Sequence, residues 1–457
     1  MSLGRRPEER QGELWVATGD LARGPGHVFY DRLEGLLRAG DFDDFVEDLC
    51  EPHYAERGRR GIPPGVYFRM LFVGYFEDID SQRGIAWRCA DSLSLKAFLG
   101  LGPTERVPDH SSLTRIRDRL PLEVHGAVFR FVLELARKHR LLSGRTAHVD
   151  ATTLEANAAM RSIVRRDTGE DWETFVRGLM VEAGEAEDPD EPTDEDVRRF
   201  DKKRKGKRTS NAKWESPTDG DARIIKMKDG RTHLAYKAEH VVDGESEFLL
   251  HAGVYHADRS DGGTLPESLD AARETLEIIG AERTVEEAVA DKGYHGNAAL
   301  VACEERGVRT YLPEQRRAKR RKWTDKPPET EAAYRANRRR TKGERGRRLQ
   351  RRRSEITERS FAHVCETGGA RRSWLRGLEK VDKRYGIVAA AHNLGLLMRA
   401  FFGAGKPRAA SAALHSWSSA LRASLARLGR RLVDLARPIQ RWATERHNTL
   451  GPSLAAA

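Results

Sequence analysis

The sequence is poor in cysteine and lacks a long apolar run. Its 457 residues include four cysteines, and no two of them form a CxxC pair. This pattern argues against a zinc ribbon or a disulfide framework and is typical of a reducing compartment. No apolar stretch approaches the roughly 18 to 20 residues that span a membrane, and the N-terminus lacks the apolar core of a signal peptide. We therefore expect a cytoplasmic protein with no membrane partner.

Aromatic residues are also scarce, at 7%, while apolar residues make up 39% of the chain. These values are typical of a globular protein with polar inserts, and the length is sufficient for two or three domains. The composition shifts along the chain predict a flexible N-terminus (1–27), an all-helical domain (28–140), a mixed α/β domain (141–403) and a helical C-terminal tail (404–457).

Positive charge is concentrated in one segment. The net charge of the whole chain is +11, yet residues 316–353 alone contain 18 Lys and Arg against 4 Asp and Glu. Such a basic tract is typical of a surface that binds phosphate backbones, and also of a solvated, partly disordered segment. The interleaved Trp323 and Tyr334 favour nucleic acid. The tract residues predicted to contact DNA are Arg316, Arg317, Lys319, Arg320, Arg321, Arg338, Arg339, Arg351, Arg352 and Arg353.

The N-terminal domain has the pattern of a helical bundle. Residues 62–79 begin with prolines, which suit a helix start, and continue as a mostly apolar run. Further along, "VPDHSSLTRIRDRL" offers Asp109 or Ser111 as the N-cap of a helix. That helix sets Arg115 and Arg119 on one face, four residues apart, and we predict that both contact DNA.

From about residue 146 the pattern changes to strands alternating with helices. Residues 232–242 place apolar side chains at every second position, and the turn "DGES" returns the chain as another strand. The element order predicts an α/β fold with a mixed five-stranded sheet flanked by helices. An insert at about 160–218 is acidic and then basic with few apolar residues, so we expect it to be largely flexible.

Three acidic residues lie at the positions where a metal site is expected. Asp150 lies inside the first strand, Asp291 ends the fourth, and Glu358 lies on the helix after the fifth. In this strand order the first and fourth strands can be neighbours. Three clustered carboxylates cannot all stay ionised without a cation, and oxygen ligands suit Mg²⁺ or Mn²⁺. Two such ions support phosphoryl transfer.

Each of these residues also has a structural interpretation. Asp150 and Asp291 can cap turns, and Glu358 can be one more charge on a solvated helix. Glu355 is a rival of Glu358 on nearly the same helix face. Four further polar residues are either loop and cap residues or neighbours of the site: Asp221, His256, Asp258 and Asp261. The residues alone leave these alternatives open.

Five sequence blocks, in order, resemble the DDE transposases of bacterial insertion sequences, of the IS-five and IS-eleven-eighty-two types. They lie within residues 30–403 and are the helical stretch from "GRRGIPPGVY" to "TRIRDRL", "HVDATTLEANA", "SPTDGDARIIKMKDGRTHLAYKAEHVVD", "VADKGYHGNAAL" and "TERSFAHV". The resemblance implies an RNase-H-like fold. It also implies hydrolysis and strand transfer of DNA at element ends with two divalent ions, Mg²⁺ or Mn²⁺.

Carried over by residue, the resemblance implies that Asp150, Asp291 and Glu358 are catalytic and bind the metal. Glu358 is preferred to Glu355 because it holds the E-R-x-F position. Ser354 and Cys365 stand where related elements often carry the Arg and Lys of a Tyr-Arg-Glu-Lys signature. The implied partner is double-stranded DNA, as terminal inverted repeats and as target, bound by a homodimer or higher oligomer.

Two other functions fit the same residues. One is a DNA-binding repressor derived from an inactive transposase, and the other is an RNase-H-like nuclease without strand transfer. For the segment after Asp291, we predict that Gly293 lets the chain turn and that Tyr294 and His295 line the approach to DNA.

Overall fold

The N-terminal part of the chain is helical. The computed structural model describes residues 26–58, 61–204, 210–227, 230–315 and 321–409, together with residue 17. Most of the expected N-terminal segment (1–27) and C-terminal tail (404–457) lies outside the described residues. The first helices are α1 (Gly26–Ala39), α2 (Phe42–Cys50), α3 (Pro64–Phe76), α4 (Gln82–Ala90), α5 (Leu93–Phe98), α6 (His110–Arg119) and α7 (Leu122–Lys138).

α3 is the central helix of this region because almost its whole length is apolar. Pro63 and Pro64 lie at its start, where a missing amide donor costs no hydrogen bond. The buried Arg69 is satisfied by two carboxylates, with Nε 2.9 Å from Oε2 of Glu34 and Nη2 2.7 Å from Oδ2 of Asp43. A helix buried on all sides is held by packing rather than by one amphipathic face.

The caps of the helices follow the sequence signals. Oδ1 of Asp109 accepts the N–H groups of Ser111 at 2.7 Å and Ser112 at 3.0 Å, so Asp109 is the N-cap of α6. Ser81 caps α4 in the same way through the N–H of Gly84. Of the two N-caps that the sequence offers for α6, Asp109 is the one confirmed.

The second part of the chain contains a mixed sheet. Its strands are β1 (Thr146–Glu155), β4 (Arg223–Lys226), β5 (Thr232–Asp243), β6 (Leu249–His256), β7 (Glu287–Val289) and β8 (Arg309–Tyr311), and β2 (Val164–Arg165) pairs separately with β3 (Trp214–Glu215). The order is β4-β5-β1-β7-β8, with β6 also paired to β5. The described sheet has six strands because the short β4 joins the five predicted ones.

The strand directions match the RNase-H-like fold that the resemblance implies. β5 is antiparallel to β1, β4 and β6, whereas β1, β7 and β8 run parallel. The predicted fold class is confirmed, and so is the prediction that the first main strand neighbours the fourth, since β1 pairs with β7.

Helices cover both faces of this sheet. The later helices are α8 (Trp172–Glu182), α9 (Asp194–Lys203), α10 (Asp261–Ile278), α11 (Asn297–Glu305), α12 (Pro328–Lys342), α13 (Glu344–Phe361) and α14 (Leu378–Phe402). On β5, Lys237 and Glu239 bond to Thr264 of α10, whereas His240 bonds to Ser360 of α13. Because strand side chains alternate between faces, α10 and α13 lie on opposite sides.

One hydrophobic core joins the N-terminal helices to the sheet. α14 connects the two parts: Asn393 bonds to both backbone groups of Leu249 in β6, each at 2.9 Å. One residue earlier, His392 is hydrogen-bonded to the Tyr75 hydroxyl of α3 at 3.2 Å. The boundary near residue 140 thus separates two kinds of secondary structure within a shared core.

α14 belongs to the one described stretch with the length and composition of a membrane span, Leu378–Ala409, although the sequence was expected to contain none. Of its apolar window, 67% is buried inside the protein. Core helices of globular proteins share this property, since a helix that is apolar all round is buried in either setting. Packing against α7, α3 and β6 accounts for its composition.

The insert between β1 and β4 is folded where the structure describes it, so the prediction of a largely flexible segment is wrong there. α8 and α9 pack against each other through Val176, Met180 and Val197. The Arg165 guanidinium lies 4.7 Å from the centre of the Phe175 ring. One small apolar cluster is sufficient to pack two short helices. So few apolar residues leave the mean hydropathy of the insert low, and the sequence therefore did not indicate a folded segment.

Candidate active site

Asp150 and Asp291 meet where β7 ends beside the middle of β1. The parallel strands β1 and β7 set His148 opposite Val289. Two residues further along, the same register brings Asp150 beside Asp291. Burial raises the pKa of Asp150, and the negative charge of Asp291 adds to the rise. The structure therefore brings together two of the three predicted carboxylates.

The carboxylate of Asp150 is held by α13. Nη1 of Arg353 donates to Oδ2 of Asp150 over 2.7 Å, and the Thr357 hydroxyl donates to the same oxygen over 3.1 Å. Oδ1 accepts the N–H of Ala151 at 2.9 Å. The Arg353 charge opposes the effect of burial on the pKa of Asp150. α13 thereby orients the first aspartate.

His148 precedes Asp150 by two residues and faces the same side of β1. It is fully buried, and neither of its ring nitrogens has a hydrogen-bond partner among the described residues. Burial, aided by the charges of Arg352 and Arg353, lowers the pKa of His148 to about 4. Near neutral pH the ring is therefore uncharged and adds no cation beside the aspartates.

Asp291 lies two residues beyond β7 and caps a short 3-10 turn, Lys292–Tyr294. Its Oδ1 accepts the N–H of Gly293 at 2.7 Å. A Cβ on Gly293 would lie 2.9 Å from that oxygen and 2.7 Å from Oδ2 of Asp261, so a larger residue would displace one of the two carboxylates. The 3-10 turn therefore fixes the orientation of the Asp291 carboxylate.

A buried polar network lies next to Asp261. Nζ of Lys237 is 2.7 Å from Oδ1 of Asp261, 2.8 Å from the Thr264 hydroxyl and 3.2 Å from Oε2 of Glu239. Glu239 is fully buried, and the Tyr294 hydroxyl donates to it over 2.9 Å. A buried charge is tolerated when it is paired and hydrogen-bonded. The network joins β5, α10 and the turn that follows Asp291.

Glu358 lies on α13 directly after Thr357, and its side chain is exposed. In the part of the chain that the structure describes, no hydrogen bond or ion pair engages its carboxylate. Glu355 is ion-paired with Arg359 one turn further along the helix. The structure thus leaves Glu358 outside the pair formed by the two aspartates, although its neighbour contacts Asp150.

The residues present suit a divalent cation through the aspartate pair. Carboxylate oxygens from Asp150 and Asp291 are hard ligands of the kind that Mg²⁺ and Mn²⁺ prefer. Within the described residues, however, no group of three His, Cys, Asp or Glu side chains is gathered closely enough to hold a metal ion. The fit therefore rests on the two aspartates.

Tyr294 and His295 are buried, contrary to the prediction that they line the approach to DNA. Tyr294 is 1% exposed and His295 is 7% exposed. The His295 ring meets Tyr334 edge-on with 5.7 Å between ring centres, and Trp323 packs 5.0 Å from Tyr334. The 3-10 turn directs both residues inward, where they pack beneath the site.

Within the described part of the basic tract, residues 328–342 form α12 and residues 344–353 belong to α13. Arg338 is ion-paired with Glu314 at 3.2 Å, and Arg321 lies over the Tyr334 ring at 4.3 Å. Four predicted DNA contacts are exposed on the two helices: Arg338, Arg339, Arg351 and Arg352. Four others lie outside the described residues: Arg316, Arg317, Lys319 and Arg320.

The other predicted DNA contacts lie on α6. Arg115 and Arg119 are exposed, whereas Leu113 and Ile116 are buried on the inner side of the helix. The Arg119 guanidinium lies 4.7 Å from the centre of the Tyr54 ring. Two exposed cations one turn apart can reach the phosphates of a duplex.

Sequence reasoning missed the role of Lys237 and Glu239. Their apolar neighbours on β5 marked the other face of that strand as the buried one, so the face with these two residues looked solvated. α10 covers it, and the charges are paired there with Asp261. The available signal was a lysine and a glutamate two residues apart on β5 and an aspartate at the start of α10, but only the tertiary packing brings them together.

Two family models match the chain. Residues 21–119 match the model described as "Transposase domain (DUF772)", and residues 195–394 match the model described as "Transposase DDE domain". The first match covers α1 to α6. The second runs from α9 into α14 and includes Asp291 and Glu358, but not Asp150. No curated protein and no solved structure matches the chain.

Proposed function

The chain belongs to the DDE transposases of bacterial insertion sequences, and from this premise we propose that it cuts DNA at the inverted-repeat ends of its element and joins those ends to a target. The observation that carries the proposal is the register of β1 and β7, which sets Asp150 beside Asp291. Asp291 follows the end of β7 and lies beside Asp150 of β1, so one cation would contact both carboxylates.

Asp150, Asp291 and Glu358 would hold two divalent ions, Mg²⁺ or Mn²⁺. When bound, such ions activate the attacking oxygen and stabilise the leaving oxygen of a phosphodiester. Enzymes of this family typically use divalent metals, and the two aspartates supply oxygen ligands of the right hardness.

The protein's own groups orient those ligands. Thr357 fixes Oδ2 of Asp150 by donating a hydrogen bond over 3.1 Å, and Gly293 fixes Oδ1 of Asp291 by donating its N–H over 2.7 Å. Pre-oriented ligands lose little freedom when the substrate arrives. In the first step water attacks the phosphorus at the element end, the P–O bond to the 3′ oxygen breaks, and a 3′-hydroxyl leaves. That hydroxyl then attacks a target phosphodiester and releases a target 3′-hydroxyl.

We assign the third carboxylate to Glu358 rather than to Glu355. Glu358 follows Thr357, the residue that contacts Asp150, and its carboxylate has no partner in the described chain. Glu355 is occupied by Arg359. Because Glu358 is a long, exposed side chain, a rotamer change moves its carboxylate without rearranging the core.

Exposed cations on α6 and α13 would bind the DNA. Arg115 and Arg119 lie on α6, and Arg351 and Arg352 lie on the helix that also carries Glu358. Phosphate contacts position a duplex without reading its sequence. We further propose that the protein acts in the cytoplasm as a homodimer or higher oligomer, since two element ends must be joined to one target.

The test is incubation of the full chain with a labelled duplex that contains the inverted repeat flanking its gene. We expect 3′-hydroxyl ends at the repeat boundary only when Mg²⁺ or Mn²⁺ is present, and products joined to a supercoiled target plasmid. Cleavage without joining would indicate a nuclease. Binding without cleavage would indicate a repressor and would overturn the assignment of catalysis.

A further inference from the structure

We propose that Asp261, held in place by Lys237, is a positioning residue for Asp291. The inference rests on the proposed function, because it concerns how the site orients a carboxylate toward a cation. It assigns a role to two residues of β5 and α10 that lie outside the three predicted carboxylates.

The first observation is the close approach of two carboxylates across Gly293. The position of a Cβ on Gly293 is 2.9 Å from Oδ1 of Asp291 and 2.7 Å from Oδ2 of Asp261. The two oxygens therefore lie no farther apart than the sum of those distances. Like charges this close repel unless one is compensated, so the arrangement needs a cation on one side.

Lys237 supplies that cation. Its Nζ lies 2.7 Å from Oδ1 of Asp261, the oxygen that does not face Gly293. The ammonium is fixed by two further partners, the Thr264 hydroxyl at 2.8 Å and Oε2 of Glu239 at 3.2 Å. Its side chain is 7% exposed. A buried, fully bonded lysine holds the Asp261 carboxylate in one orientation.

Glu239 anchors the lysine. It is fully buried and accepts hydrogen bonds from Thr264 at 2.7 Å, from Ser268 at 2.5 Å and from Tyr294 at 2.9 Å. Tyr294 belongs to the turn that Asp291 caps. The same network that fixes Lys237 therefore also fixes the turn, so Asp261 and Asp291 are held relative to each other from both sides.

The consequence for Asp291 is a defined orientation and a stronger negative potential. Oδ1 of Asp291 is bound to the N–H of Gly293, and Oδ2 of Asp261 adds negative charge beside it. Groups just outside the ligand shell orient the ligands and raise their affinity for a metal, and their removal typically costs about 10- to 100-fold in affinity.

A purely structural role for Asp261 makes a different prediction. Asp261 also begins α10, where a negative charge interacts favourably with the helix dipole. If that were its whole role, removing the charge would lower stability and leave metal affinity unchanged. The two roles are separable by measuring both quantities on the same variants.

The experiment is titration of the full chain with Mn²⁺, with free Mn²⁺ followed by electron paramagnetic resonance and metal-free melting temperatures measured in parallel. We expect Asp261→Asn to weaken Mn²⁺ binding about tenfold. Asp258→Asn is the matched control, because this aspartate lies three residues earlier, has a similarly exposed side chain and is 3.7 Å from Arg223. It should bind Mn²⁺ as the wild type does.

Lys237→Arg, which keeps a cation beside Asp261, should bind Mn²⁺ with nearly the affinity of the wild type, so Asp261→Asn decides the inference. Unchanged binding by Asp261→Asn overturns the inference. Asp291→Asn separates this failure from failure of the proposed site. If Asp291→Asn loses Mn²⁺ and Asp261→Asn does not, only the positioning role is wrong. If Asp291→Asn binds normally, the proposed site is wrong too.

Discussion

Arg353 and Asp150 form an ion pair, with 2.7 Å between Nη1 and Oδ2, in which the arginine side chain is 12% exposed and the aspartate side chain is 27% exposed. Arg353 was predicted to contact DNA. Instead it compensates the aspartate that sequence analysis placed in a metal site. The same oxygen accepts from Thr357, so the carboxylate is well satisfied by the protein alone.

Arg353→Met should lower the free energy of unfolding by about 1–3 kcal/mol without metal, because it leaves a mostly buried carboxylate without its counter-charge. Added Mn²⁺ should raise the melting temperature of this variant more than that of the wild type, since cation and arginine compete for Oδ2 of Asp150. Calorimetry with and without Mn²⁺ measures both effects.

Arg352→Met is the control for that experiment, because Arg352 is the exposed neighbour of Arg353 on α13. It should change neither the metal-free stability nor the response to Mn²⁺. If Mn²⁺ raised the melting temperature of Arg353→Met and of the wild type equally, the metal would not compete with Arg353 for Asp150.

Glu358→Gln should reduce cleavage of element-end DNA by roughly a thousandfold or more, as removal of a catalytic group does. Glu355→Gln should retain activity within about threefold, since Glu355 is bound to Arg359 and contributes no free carboxylate. Single-turnover cleavage rates at saturating enzyme compare the two. The reverse ranking would move the third carboxylate to Glu355.

Replacing Arg115 and Arg119 together by alanine should weaken DNA binding evenly across sequences. Each phosphate contact contributes about 0.9 to the slope of log affinity against log salt concentration, so the slope should fall by about 2. Fluorescence anisotropy at several salt concentrations measures it. Lys138→Ala removes an exposed cation at the end of α7, paired with Glu134, and should leave the slope unchanged.

Asp382 of α14, away from the site, should make the stability of the protein depend on pH. Burial raises its pKa to about 7, and its Oδ1 accepts the N–H of Val254. Between about pH 4 and pH 7 the folded protein keeps a proton that the unfolded chain has released. The contribution of Asp382 to stability therefore falls as pH rises through that window.

Asp382→Asn keeps the hydrogen-bond acceptor and removes the charge. The stability gain of this variant over the wild type should thus be small at pH 4 and largest above pH 7, as measured by urea unfolding at each pH. Glu274→Gln, which alters an exposed carboxylate on α10, should show no such trend. A gain independent of pH would mean that Asp382 titrates normally.

The sheet could be predicted because local patterns determine it. Residues 232–242 alternate in polarity, a turn signal follows, and the apolar run before Asp291 is long enough for one buried strand. The strand order also allowed the prediction that β1 and β7 are neighbours. β4 was not predicted as a strand of the sheet, because its four residues acquire their pairing only against the start of β5.

The site could be predicted only in part. Asp150 and Asp291 were found because each interrupts or ends an apolar strand. The pairing of Lys237 with Asp261 depends on how α10 packs on β5, and no local pattern contains that information. Tyr294 and His295 are predicted to line the approach to DNA, yet the 3-10 geometry of the turn after Asp291 buries both.

The most direct test of the central claim is DNA cleavage by Asp291→Asn. We expect this variant to bind inverted-repeat DNA with the affinity of the wild type, because Asn retains the acceptor for the N–H of Gly293. In Mg²⁺ it should produce no 3′-hydroxyl ends where the wild type cuts to completion. Full cleavage by Asp291→Asn at equal DNA binding would contradict the assignment of Asp150 and Asp291 as the catalytic pair.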